Sequence, residues 1–157
     1  MASRHVLVMV NGKIQQMQAG DTIADPVSEQ EMVTQTADAD LIAGEAVYSS
    51  AADHVNKAKA DAIGTVKLMG FANAAISNGA TGTVKTSGIL TLTTGQWDAL
   101  AGTTGGLTFN TDYYLSPATA GLLTATAPTT VGQYVVLAGR AISTTEMRIL
   151  ITDYVLL

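Results

Sequence analysis

The chain has 157 residues, close to the size of one domain; 47% are hydrophobic, yet aromatics reach only 5% and charged residues 13%, about half the usual charged share. Eight Lys and Arg against 13 Asp and Glu leave a net charge of −5, so the basic stripe that nucleic-acid affinity requires is missing. Zero cysteines exclude a disulfide scaffold, a thiolate zinc site and a thiol nucleophile, and no apolar run approaches the roughly 18–20 residues of a membrane-spanning helix.

The N-terminal run MASRHVLVMVNGK has no long apolar core followed by a small-residue cleavage site, so no secretory signal is expected. Within residues 5–17, HVLVMVNGKIQQM, two β-prone runs flank Asn11-Gly12. That dipeptide predicts a two-residue hairpin turn, because both of its positions need φ > 0. The first run is apolar almost throughout; the second sets Ile14 and Met17 against Gln15, Gln16 and Gln18, which predicts one covered face and one wet face. A lone two-stranded hairpin is marginal in water. It therefore needs something to lie on.

Residues 25–40, DPVSEQEMVTQTADAD, carry five acids (Asp25, Glu29, Glu31, Asp38, Asp40) and no base. Ser28 and Glu31 have capping-box spacing, but no apolar helical stripe follows, so the stretch reads as an acidic connector. The expected organisation is an N-terminal hairpin arm over 1–24, the connector over 25–40 and a β-rich body over 41–157. In that body, strands are expected at 45–49, 55–58, 65–71, 82–86, 89–92, 113–115, 134–138, 140–143 and 147–151, with one helical turn at 96–100 (QWDAL). Asn78-Gly79, Ser87-Gly88, Gly105-Gly106 and Pro128 supply turn chemistry between them. Many short, Thr-rich strands at close spacing predict an all-β fold, a small β-sandwich or partly open barrel. Val66 to Ala72 (VKLMGFA) and Val135 to Ala141 (VVLAGRA) also share Val, Leu, Gly and Ala at equal spacing. Gly inside a strand marks a bulge or a close backbone approach, so these are candidates for equivalent bent strands of two facing sheets.

No catalytic constellation emerges. His5 and His54, the two histidines, have neither metal-ligand spacing nor a neighbouring serine elbow. The loops Asn78–Gly82 and Gly102–Gly106 are glycine-rich, but neither ends in Gly-Lys-Ser/Thr nor opens an evident helix. They read as turns. No metal or other cofactor is expected. Trp97, Asp112 and Tyr113 could form an aromatic platform beside a carboxylate for glycan; the alternative reading puts the rings in the core. The last nine residues, ILITDYVLL, are strongly apolar. They are expected either to close the core or to dock into a neighbour.

Tyr113-Tyr114-Leu115-Ser116-Pro117, then Gly121-Leu122-Leu123-Thr124, Ala127-Pro128 and Gly132 to Ser143 (GQYVVLAGRAIS) resemble a module in structural proteins of tailed bacteriophages. Ile42 to Tyr48 (IAGEAVY), Ile63-Gly64-Thr65 and Gly70-Phe71-Ala72 are similar to the opening strands of that module. Val8 to Met17, with Ala19 to Thr22, is similar to a segment at the start of phage fibre and head-decoration proteins. The resemblance implies a head-decoration (capsid cement) protein: a small, often trimeric β-protein on the outer surface of the virion that bridges capsomers. It implies a hairpin arm that clamps the major capsid protein through Val8, Val10, Asn11, Gly12, Lys13, Ile14 and Met17, and a body that self-associates. A head- or tail-fibre module that binds host glycan is the alternative. Neither reading involves catalysis, nucleic acid or a membrane.

Overall fold

A computed structural model describes residues 31–157, together with the backbone of residues 7–10 and 13–16. Strands β1 (Leu7–Val10) and β2 (Lys13–Gln16) pair antiparallel with Val10 opposite Lys13. Two residues are left to connect them, the spacing expected of the hairpin. Asn11, Gly12 and Met17 lie outside the described residues, as does His5.

The body is all-β with one short helix. Strands β3 (Met32–Ala37), β4 (Ala46–Ala51), β5 (His54–Lys57), β6 (Leu68–Ala72) and β7 (Thr81–Lys85) form a closed barrel in the order β3-β5-β4-β6-β7. The chain then runs through β8 (Ile89–Thr91), helix α1 (Thr94–Ala101), β9 (Asp112–Leu115), β10 (Leu123–Thr124), β11 (Tyr134–Val135), β12 (Leu137–Ala141), β13 (Glu146–Ile149) and β14 (Val155–Leu156). Five of these make an open sheet, β10-β9-β12-β13-β8, while β11 and β14 pair as a two-stranded ribbon.

Two expectations need correction. The connector assigned to 25–40 contains β3, which pairs with β7 from Met32↔Lys85 to Thr36↔Thr81 and closes the barrel against β5. MVTQTA alternates well enough for a strand, with Val33 partly buried and Ala37 fully buried; averaging it with its acidic flanks hides that signal. The strand expected at 140–143 begins earlier: Arg140 and Ala141 end β12, and Ile142 and Ser143 turn into β13 by donating to the Glu146 carbonyl. The all-β class and the barrel-like body are as expected, and the barrel is closed.

The two five-stranded sheets are one design built twice. In chain order each places its strands third-second-fourth-fifth-first across the sheet. The match extends to register. Gly70 lies opposite Val47 and Leu68 opposite Tyr48, with Met69 bulged out between them. Gly139 lies opposite Tyr113 and Leu137 opposite Tyr114, with Ala138 bulged out in the same place. Phe71 and Ala72 pair with Lys85 and Val84, as Arg140 and Ala141 pair with Arg148 and Met147. The glycines have one reason in common. A Cβ at Gly70 would meet the Lys85 carbonyl oxygen at 2.5 Å, and one at Gly139 the Arg148 carbonyl oxygen at 2.4 Å.

The units differ at the first strand. β3 continues through Thr36 and Ala37 to pair with β5 in parallel. By register, the positions equivalent to these are Thr93 and Thr94, where the second unit turns into a helix instead. Thr93 is the N-cap of α1, with a reciprocal capping box to Gln96. The helix lies against β10 and buries Trp97 and Leu100. α1 thus occupies the place where a closing strand pair would be.

Packing follows from this arrangement. Val33, Ala37, Val47, Val55, Ala72 and Val84 fill the barrel. The outward side of the barrel, Ala46, Leu68 and Phe71, shares a second core with Leu90, Tyr113, Ala141 and Met147 from the inner face of the second unit. One unit therefore sits on the back of the other. Backbone bonds fix the contact, from Ala46 to Gly121 and from Ala60 to Ser116. Fully burying a side chain such as Phe71 stabilises by roughly 1.5–3 kcal/mol.

Candidate functional site

Of the residues expected to clamp a capsid, Val8, Val10, Lys13 and Ile14 lie on the paired strands β1 and β2. Backbone pairing places Val8 opposite Gln15 and Val10 opposite Lys13, both in one antiparallel ladder. That is the local geometry of a two-stranded arm.

The aromatic platform is not formed. Trp97 is fully buried, and its Nε1 donates to the Thr145 carbonyl at 2.9 Å. Tyr113 is fully buried too, its hydroxyl accepting the Thr108 N–H at 3.0 Å. Both rings belong to the core shared by the units, so neither has a face to stack on a sugar. Asp112 points the other way and holds Arg140 at 2.6 Å (Nε) and 3.0 Å (Nη2). This bidentate bond keeps the Asp112 carboxyl below the usual aspartate range.

His54 does gain a side-chain partner that spacing does not foretell. Its Nδ1 lies 2.7 Å from Asp38 Oδ1, and Ser50 Oγ donates to Asp38 Oδ2 at 2.6 Å. Here the carboxylate is central and the serine bonds to it, not to the imidazole. The imidazole does not stand between serine and carboxylate, which is not the order a Ser-His-Asp relay needs. The two bonds, Ser50 foremost, lower the Asp38 pKa. Asp40 Oδ1 meanwhile accepts the Asn78 N–H at 2.8 Å. Of the last two acids of the expected connector, Asp38 thus ties the adjoining ends of β4 and β5, and Asp40 the loop before β7.

The loop 102–106 resolves in a similar way. Gly102 caps α1 in the left-handed region (φ 64°). Asp98 then accepts the N–H groups of Gly106 (2.8 Å) and Gly105 (3.0 Å) and the Thr103 hydroxyl (3.0 Å). The cradle is filled by a carboxylate of its own helix. These bonds, the Gly106 amide first, lower the Asp98 pKa.

What the body presents outward is apolar in one region. Val131 is 87% exposed, Val155 and Leu156 60% each, and Tyr154 and Leu157 39%. They are brought together by the β11–β14 ribbon, by the bond from the Gly132 N–H to the Leu157 carbonyl, and by an edge-on contact of Tyr134 with Tyr154. Beside them, Val66–Leu68 and Ile151–Tyr154 line an open groove of about 290 Å³. The apolar tail, expected either to close the core or to dock into a neighbour, divides: Ile149 is buried in the core at the end of β13 and Ile151 packs against it, while Val155 and Leu156 form the ribbon on the surface.

No protein-family model matches the chain, and no curated protein matches it. Among the described residues, no helix is long and apolar enough to cross a membrane.

Proposed function

We propose that this chain is a structural virion protein that binds the outer surface of a phage capsid as an oligomer, a trimer by resemblance, and stabilises the shell by bridging capsomers. The hairpin over 1–24 is the arm that grips the major capsid protein, and the two-unit body is the part that associates with sister subunits. The role is non-catalytic and involves neither nucleic acid nor a membrane. The observation that carries this reading is the exposed apolar ribbon at the C-terminus, with Val131, Val155 and Leu156 each at least 60% exposed. An apolar cluster of this kind on a weakly charged β-body is characteristic of a surface that another subunit covers. The phage-like motifs and the apolar hairpin point the same way. Deleting residues 1–24 tests it: binding to undecorated heads, measured by co-sedimentation, is expected to vanish while the far-UV circular dichroism and melting of the body persist. A truncated chain that binds heads as the full chain does overturns the reading.

A further inference from the structure

We propose that the outward face of the second unit is the surface through which copies of this chain bind one another, with Arg148 of one copy paired to Glu146 of the next around a closed rotational axis. The proposal rests on the oligomeric reading above and supplies its contact surface. Strand register builds the face. Asp112, Arg140, Arg148 and Ile89 form one row across β9, β12, β13 and β8. Glu146 and Tyr114 lie on the same side, two residues along β13 and β9 from Arg148 and Asp112.

Three observations carry the inference. First, Arg148 stands directly opposite Arg140, and like charges in that position repel. Asp112 neutralises Arg140 through both carboxylate oxygens. Neither Arg148 nor Glu146 has an ion-pair partner among the described residues. Second, the face balances two carboxylates with two guanidiniums, although the chain as a whole carries −5. A patch with both signs two residues apart complements itself under rotation, which closed assemblies require. Copies can therefore meet here without the repulsion that net charge imposes elsewhere. Third, the same face of the first unit is already a covered one. Ala46 and Phe71, which correspond to Asp112 and Arg140, are fully buried beneath the second unit, and Lys85, which corresponds to Arg148, is 5% exposed.

Sedimentation equilibrium of the full chain provides the test. The wild type is expected to associate at about 50 mM salt and to weaken at about 500 mM, where screening is stronger. Arg148→Glu and Glu146→Arg are each expected to weaken association at least about tenfold, and Arg148→Glu combined with Glu146→Arg to restore it. Melting curves confirm that the variants fold, and Arg148→Ala, expected to weaken association, serves if the reversal does not. Arg148→Glu that associates as tightly as wild type, or a combined variant that stays dissociated, overturns the surface while leaving the oligomeric reading intact. A wild type that is monomeric at every concentration overturns the oligomeric reading itself.

Discussion

At Gly70 and Gly139 two strands of different units bulge and then admit a neighbour's carbonyl oxygen into the space of a missing Cβ. Gly139→Ala must push β12 from β13, and about 1–3 kcal/mol of destabilisation is expected from overpacking of this kind. Thermal melting checks it, with Gly64→Ala as the comparison, since nothing lies within 4 Å of a Cβ there. The shared Gly of VKLMGFA and VVLAGRA is visible in the sequence, but which atom needs the space is not. The carboxylates are less legible still. Asp38 and Asp112 have lowered pKa values because donors from other strands reach them, and Asp98 because the loop that follows its own helix folds back onto it. A lowered folded-state value means a contribution that is complete above the unfolded value and lost as pH falls through the folded one. Asp98→Asn is therefore expected to melt below wild type at neutral pH, with the gap narrowing below about pH 4. A gap that is constant with pH would assign the effect to something other than the carboxylate charge.

Element by element, local chemistry forecasts most of the longer strands and misses β3, β10 and β14. The helix was expected at 96–100 and forms at Thr94–Ala101, because Thr93 and Gln96 cap each other and Gly102 ends it. Removing the cap by Thr93→Ala should cost about 1 kcal/mol, read from the denaturant midpoint. The larger role of this cap emerges only beside β3. At equivalent positions the first unit continues as a strand and closes a barrel, while the second turns into α1 and stays open. β3 itself lay hidden in an acid-rich window, since composition averaged over 25–40 outweighs the six residues that alternate. β10 and β14, two residues each, are strands only by virtue of their partners. No local signal could have announced them.

On the scale of the whole molecule, the two units cannot be separated, because the inner face of one and the outer face of the other fill a single core. Phe71→Ala, at the centre of that contact, is expected to cost about 3–5 kcal/mol. Calorimetry should show one lowered transition for the whole body. Two separable peaks would contradict a shared core. Among the described residues, the same front-to-back stacking leaves the outward face of the second unit uncovered at the end of the series. There Arg140 and Arg148 stand where Phe71 and Lys85 stand in the first unit.

The all-β class, the two-residue spacing of the N-terminal hairpin, most strand positions and the uncommitted apolar tail are legible in the order of the amino acids. Each of these follows from local propensity, turn residues and side-chain periodicity. That the body is one unit built twice, that Trp97 and Tyr113 are core residues rather than a sugar platform, and which charges face outward emerge from the folded chain alone. Those outcomes depend on strand register and on which face of a sheet another sheet covers. Residues far apart in the chain decide both together.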